Sequence, residues 1–157
     1  LASPPARLTV FGPTGGVGRQ LLGQALDAGH EVTVLARDPS RVPRQDPRLT
    51  VVAGDVTDSA AVARTVRGSD AVLVADHEAQ EALLQDSDLD WTAVRPPFLT
   101  DGPRTGRFAY GFGNDEPGLT MKVSRADVAA FMLAEVAEPR YLQQAVGISY
   151  RVGAPAA

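Results

Sequence analysis

The residues with the clearest chemical use are three glycines spaced by three, Gly12, Gly15 and Gly18, in the run Gly12-Pro13-Thr14-Gly15-Gly16-Val17-Gly18. A glycine turn of this kind, between a strand and a helix, holds the pyrophosphate of a dinucleotide. Gly12 permits the tight turn. Gly15 lets pyrophosphate approach the backbone with no Cβ in the way, and Gly18 lets the helix lie close to the sheet. Free N–H groups and the dipole at the helix start attract phosphate charge. The spacing is G-x-x-G-x-x-G instead of the commoner G-x-G-x-x-G. The bland alternative is a glycine-rich loop with no ligand, and the strand–turn–helix–strand context argues against it.

Arg37 follows the apolar run Glu31–Ala36. An NAD-selective site places Asp or Glu near that strand end for the ribose 2′-hydroxyl, whereas arginine suits a 2′-phosphate. The expected cofactor is therefore NADP(H). Arg41 lies one turn on, and guanidinium groups match phosphate geometry in a bidentate way. Two alternatives stay open: Arg37 as a solvated surface residue, and Asp38 as its partner or as an acceptor for a ribose hydroxyl. After the next apolar run, Asp55 is placed to accept from the adenine amino group and Val56 to pack on the ring. A turn or capping aspartate is the other reading of Asp55.

Other chemistry is thinly represented. The Tyr-x-x-x-Lys pair, in which lysine lowers the tyrosine pKa for proton exchange with substrate, is missing. Lys122 is the only lysine among 15 basic residues, and Gly118 stands four positions before it. This counts against an alcohol dehydrogenase or sugar epimerase of the usual design. There is no Gly-x-Ser-x-Gly elbow and no Walker A run. The two histidines lie far apart, so no metal site is expected. His30 reads as a cap at a helix-to-strand turn. His77 follows the fourth strand at the ligand-binding edge and reads as a residue of a helix start. No catalytic residue is assigned.

The elements that must position these groups follow from periodicity. Buried strands are expected over 7–11, 31–36, 49–53 and 70–75, as nearly continuous apolar runs. Helical spacing marks 15–28, with apolar Val17, Leu21, Leu22, Ala25 and Leu26, and Gly29 ends it. Pro39, Pro43 and Pro47 mark a loop or a single helical turn. A second helix runs over 58–67, with Asp58 as N-cap and Gly68 at its close. Further on, a helix is expected over 78–85 and a strand over 91–94, ended by Arg95-Pro96-Pro97. Residues 98–118 read as an irregular excursion with one hairpin. A helix over 124–138 opens on a capping-box variant, Ser124-Arg125-Ala126-Asp127, and a last strand covers 146–152. The alternation predicts an α/β fold, a Rossmann-type doubly wound parallel sheet with helices on both faces.

Bulk composition narrows the class. With 44% apolar and 22% charged residues, the 157 residues suit one globular domain, 1–157, with flexible ends at 1–6 and 153–157. A net charge of −4 argues against a general nucleic-acid binder. With no cysteine, there is neither a disulfide framework nor a thiolate metal site. No apolar run approaches the roughly 20 residues that span a bilayer, and the first residues lack the order of a signal peptide. A cytoplasmic protein without membrane or nucleic-acid partners is expected.

Taken together, VFGPTGGVG, EVTVLARDPSR, GDVTD and DAVLV resemble the atypical short-chain dehydrogenase/reductase superfamily. Within it they resemble the NAD(P)H-binding group that contains flavin reductase/biliverdin-IXβ reductase and the NmrA-like proteins. SDLDWTAVRPPFLTDGP resembles the segment that folds over the nicotinamide, and SRADVAAFML the helix after it. The likeness covers most of 7–152. It implies Gly12, Thr14, Gly15, Gly16, Val17 and Gly18 around the pyrophosphate, Arg37 and Arg41 at the 2′-phosphate, and Asp55 and Val56 at adenine. It also implies Ala75 by the adenosine ribose, and Pro96, Pro97 and Phe98 by the nicotinamide.

One departure is large. Ala75 runs directly into Asp76-His77-Glu78, so roughly fifty residues of the family pattern, one βα unit with its loops, are absent after the fourth strand. A deletion in the gene, an engineered excision, and residues left out of the sequence all fit. A start at Leu1 reads as a product that is not intact. The resemblance implies an NADPH-dependent reductase of a flat conjugated small molecule such as FMN, another flavin or a linear tetrapyrrole, acting as a monomer or weak homodimer. Hydride transfer of that kind needs orientation more than acid–base groups. Phe98, Phe108, Tyr110 and Phe112 are candidates for an aromatic wall beside such a substrate, with packing under a long loop as the alternative. A non-catalytic NADP(H)-binding sensor of NmrA-like type is the rival function, and a remnant that binds cofactor poorly is a third.

Overall fold

The computed structural model describes residues 4–75, 89–112 and 117–153, without the side chain of Phe112. The chain divides into two compact units, 1–76 and 77–157. The junction expected at Ala75–Asp76, the helix expected over 78–85 and His77 all involve residues outside that description.

The first unit alternates strand and helix: β1 (Arg7–Phe11), α1 (Gly16–Asp27), β2 (Glu31–Ala36), a 3-10 turn (Pro39–Arg41), β3 (Leu49–Ala53), α2 (Ser59–Val66) and β4 (Ala71–Val74). The four strands form one parallel sheet in the order β3-β2-β1-β4. Parallel neighbours cannot be joined by a hairpin, and the helices supply the crossovers. Alternation sends the buried Leu8, Val10, Val32 and Val34 to one face of the sheet. Phe11 and Leu35 leave from the other face and pack with Ala61 of α2, joined by Val52, Val62, Val66 and Val74. α1 buries Leu21, Leu22, Ala25 and Leu26 and packs on β1 and β2.

Chain punctuation sets where these helices begin and end. Asp58 Oδ1 accepts from the N–H groups of Ala60 and Ala61 at 2.9 and 3.1 Å, which starts α2. Gly29, with φ of 91°, turns the chain out of α1 into β2. The sheet departs from the expected all-buried strands at β3, where Thr50, Val51 and Ala53 are exposed. β3 ends the sheet order, so among the described residues only β2 flanks it.

The second unit holds β5 (Thr92–Arg95), β6 (Phe98–Thr100), β7 (Ala109–Phe112), β8 (Lys122–Ser124), the helix α3 (Arg125–Ala137) and β9 (Gln144–Ser149). β9 lies between β5, to which it is parallel, and β7, to which it is antiparallel. β6 and β8 form a separate parallel pair. The core here is Val123, Ala126, Val128, Ala129, Phe131, Val146 and Ile148. Two expectations are corrected. The excursion 98–118 contains no hairpin among the described residues, because its strands pair with β8 and β9 instead of with each other. The last strand begins at Gln144 and ends at Ser149, since its partner Thr92 fixes the start of pairing despite the polar side chain. Among the described residues no helix is long and apolar enough to cross a membrane.

Candidate functional site

The glycine turn gives its three glycines three different reasons. Gly12 has φ of 73°, a conformation that side chains disfavour. Its carbonyl accepts from the Gly15 N–H at 3.1 Å, closing the turn. Gly18 is buried in α1, and a Cβ there would stand 1.9 Å from the Gly12 oxygen. Gly15 has an ordinary extended backbone, φ −74° and ψ 168°, so nothing local demands glycine. A Cβ on Gly15 would meet only the Gly12 oxygen, at 3.4 Å.

Gly15 is the N-cap of α1, and no side chain caps that helix. The other two α-helices among the described residues are capped, α2 by Asp58 and α3 by Ser124. The first N–H groups of a helix, here those of Gly16, Val17 and Gly18, have no partner within the helix. Gly15 and Gly16 are exposed, while Thr14 and Val17 are half-buried. Arg19 Nε donates to the Thr14 carbonyl at 2.8 Å and so holds the turn from outside. Ala75 stands beside it, its N–H donating to the Phe11 carbonyl at 3.1 Å.

The ends of β2 and β3 come together on the same edge of the sheet, where the Gly54 N–H donates to the Ala36 carbonyl at 3.1 Å. Arg37 is 84% exposed, and its Nε lies 3.9 Å from Asp55 Oδ2. Asp38 is engaged by Ser40. Its Oδ1 accepts from the Ser40 N–H at 3.0 Å and the Ser40 hydroxyl at 2.6 Å, which caps the Pro39–Arg41 turn. Those bonds hold the Asp38 carboxyl below its ordinary pKa. Asp55 Oδ1 accepts from the Thr57 N–H and hydroxyl, both at 2.9 Å. The same bonds, with a smaller part from Arg37, keep its carboxyl below the ordinary value. Arg41 is exposed, and Val56 presents an apolar side chain to water at 60% exposure. Gly12 to Gly18, Arg37, Asp55, Val56 and Ala75 therefore all follow the C-terminal ends of strands in one parallel sheet, the edge where ligands bind in open α/β sheets.

Pro96, Pro97 and Phe98 belong to the second unit. The two prolines are half-buried between β5 and β6, and Phe98 is 69% exposed. Of the expected aromatic wall, the Phe112 side chain lies outside the description, and Phe98, Phe108 and Tyr110 do not form one surface. Phe108 and Tyr110 pack on Phe131, with centroids 6.2 and 5.3 Å away, and Tyr110 meets Tyr141 at 6.3 Å. These rings gather around the buried Phe131 of α3, with Tyr110 still exposed, whereas Phe98 has no ring neighbour among the described residues.

A cluster around Asp127 was not foreseen. This carboxylate is fully buried in the first turn of α3. Its Oδ1 accepts from the N–H groups of Thr105 and Gly106, at 2.9 and 2.8 Å. Its Oδ2 accepts from the hydroxyls of Thr105 and Tyr150, at 2.7 and 2.6 Å. Burial pushes the carboxyl pKa up, but the bonds from Tyr150, Gly106 and Thr105 outweigh it and leave the group below its ordinary value. In sequence the only sign is the capping box, and Ser124 Oγ does accept from the Asp127 N–H at 3.0 Å. His30 is buried, and its Nδ1 accepts from the Ala6 N–H at 3.0 Å. Among the described residues no group of histidines and carboxylates could hold a metal ion.

Comparison with known proteins shows the family and the fold. A family described as NAD(P)H-binding matches residues 12–76 and 73–139, two stretches that meet at 73–76. A (4-alkanoyl-5-oxo-2,5-dihydrofuran-3-yl)methyl phosphate reductase from Streptomyces griseus is 40% identical over 74 residues, 47% of this chain and 26% of that protein. The match thus spans about a quarter of that relative's length. Among solved structures, a Rossmann-fold NAD(P)-binding family protein from Shigella flexneri has a TM-score of 0.81 at 19% identity, covering 98% of this chain and 100% of that one. The anaerobilin reductase ChuY from Escherichia coli O157:H7 has a TM-score of 0.79 at 22% identity, covering 96% and 100%. At these identities the structures share the fold. Matched over both stretches and built on a glycine turn at the head of a parallel sheet, this Rossmann-fold chain belongs to the NAD(P)H-binding family.

Proposed function

We propose that the chain is an NADPH-dependent reductase that passes hydride to a flat conjugated acceptor such as a flavin or a linear tetrapyrrole. The observation that carries the cofactor choice is the arrangement past β2. Arg37 projects into solvent, and the neighbouring Asp38, the residue that would favour a ribose 2′-hydroxyl, spends an oxygen on Ser40. The residues present fit a dinucleotide: an uncapped helix start with exposed Gly15 and Gly16, neither of which carries a Cβ. Gly16, Val17 and Gly18 would donate N–H groups to the pyrophosphate, Arg37 and Arg41 would hold the 2′-phosphate, and Asp55 and Val56 would hold adenine. Ala75 would lie by the ribose, and Pro96, Pro97 and Phe98 by the nicotinamide.

When bound, NADPH supplies the hydride. The chain's part is to orient the two rings, and water can supply the proton. The missing Tyr-x-x-x-Lys pair supports an acceptor of this kind, which needs no side-chain acid, over an alcohol or a sugar. That one structural relative is an anaerobilin reductase lends the same support. We read 75–76 as the place where a βα unit of the family is absent, because the family matches in two stretches that meet there.

The test is NADPH oxidation with FMN or biliverdin, with and without the protein. Acceleration well above the protein-free rate is expected. Tight NADPH binding without acceleration would favour the sensor reading, and weak binding would favour a remnant.

A further inference from the structure

A cleft of about 260 Å³ opens in the first unit, at the edge of the sheet opposite the glycine turn. Its walls are the starts of the strands: Arg7 opens β1, Glu31 opens β2, Arg48 precedes β3 and Ser69 precedes β4. The shortness of α2 leaves this space. That helix has eight residues, and it packs over Phe11, Leu35, Val52 and Val74. Two residues earlier on the first three strands, on the same face, stand Thr9, Thr33 and Thr50, in register across the sheet. Thr9 is fully buried. Its hydroxyl donates to the Thr65 carbonyl at 3.0 Å and accepts from the Ser69 hydroxyl at 2.6 Å. Thr33 and Thr50 line the cleft instead, and among the described residues no group hydrogen-bonds to their hydroxyls.

Three guanidinium groups border this floor. Arg7 is held by the Asp70 carboxylate, which accepts from its backbone N–H at 2.8 Å, its Nε at 3.4 Å and its Nη2 at 2.9 Å. Asp46 holds Arg48 through the same three groups, at 2.9, 3.1 and 3.0 Å. Neither aspartate lines the cleft. Among the described residues no acceptor meets Nη1 of either arginine, and Arg7 Nη1 lies beside Gly68 in the cleft wall. Arg67, at the end of α2, is exposed and has no carboxylate partner among the described residues. Glu31 is the one acid among the described lining residues. With Asp46 and Asp70 counted the charges balance, so the feature that selects a ligand is a surplus of unused donors.

We propose that this cleft is a second binding site, for a compact organic oxyanion, a phosphate monoester or a carboxylate of a few carbons. Arg67 supplies the counter-charge, and Arg7 Nη1 with the Thr33 and Thr50 hydroxyls donates to the remaining oxygens. The two aspartates fix their arginines before the ligand arrives, so little side-chain freedom is lost on binding. Volume sets the size of the ligand. Sites for drug-sized molecules enclose about 300–1,000 Å³, so this cleft is too small for a dinucleotide. It lies at the opposite ends of the strands from the glycine turn and does not draw on the reductase reading.

The test is an NMR titration of the isotope-labelled full chain with glycerol 3-phosphate and with malate, and with glycerol as the uncharged control. At least one anion should shift the amide signals of Thr33, Thr50 and Gly68, with a dissociation constant on the order of millimolar, and glycerol should not. Which anion binds better tells phosphate from carboxylate. Arg67→Met, a surface change, weakens that anion about fivefold. Thr33→Val with Thr50→Val keeps shape and strand preference and weakens it about threefold. Saturating NADP+ and the Arg37→Ala variant each leave its affinity within about twofold, because their site is at the other edge. No binding of either anion, unchanged affinity in Arg67→Met, or displacement of the anion by NADP+ would overturn the proposal.

Discussion

The Gly12 carbonyl oxygen lies where a Cβ on Gly18 would come within 1.9 Å of it, so α1 can start where it does only because position 18 has no side chain. Gly18→Ala must push the turn and the helix apart. We expect a loss of about 1–3 kcal/mol of stability from overpacking, read as a lower denaturation midpoint at unchanged slope. Gly15→Ala is the contrasting case. Its Cβ fits at 3.4 Å with an ordinary backbone, so stability should change by no more than about 1 kcal/mol, while NADP(H) affinity should fall about tenfold. A large stability loss in Gly15→Ala, or unchanged nucleotide affinity, would contradict the role given to that residue.

Much of the first unit is legible from sequence because its signals are local. Gly29 and Asp58 sit at helix boundaries and act within a few residues of themselves. β1 and β2 read correctly because both are central, apolar strands of a parallel sheet. Where pairing is distant, pattern fails. β9 starts at the polar Gln144 because Thr92, far back in the chain, pairs with it. Residues 98–112 look like one irregular loop because their partners begin at Lys122 and Gly147. The same limit applies to the site. Asp38 is next to Arg37 in sequence, but the carboxylate that reaches Arg37 is Asp55, brought over by the β2–β3 pairing. Asp127 looks in sequence like a capping-box acid, and its burial under Thr105 and Tyr150 leaves no local trace.

Asp127 should make stability depend on acid pH. Its folded pKa is lowered, so its contribution is present above the unfolded value of about 3.9 and is lost as pH falls through the folded value. Asp127→Asn keeps the shape, and its amide can still donate to the Thr105 and Tyr150 hydroxyls. It loses the charge that the Thr105 and Gly106 N–H groups bind. We expect it to cost about 1–3 kcal/mol at neutral pH, with the gap to the unaltered chain closing below about pH 4. Urea unfolding across that range measures it, and a gap independent of pH would contradict the account.

On the proposed reading, Asp55 would compete with a 2′-phosphate for Arg37. The ion pair is long and open to solvent, so the competition is weak. Asp55→Asn retains an oxygen for Thr57 and removes the negative charge. The ratio of NADPH to NADH affinity should rise about two- to fivefold, less at high salt. Titration of both nucleotides at two ionic strengths tests this, and an unchanged or lower ratio would place Arg37 away from the phosphate.

The most direct measurement is the dissociation constants of NADPH and NADH for Arg37→Ala beside the unaltered chain. A guanidinium that binds the 2′-phosphate contributes about 1.5–3 kcal/mol to one nucleotide and almost nothing to the other. We expect NADPH to weaken about 10- to 100-fold and NADH to stay within about twofold. An equal loss for both nucleotides, or no loss for either, would contradict the NADPH site at the head of this sheet.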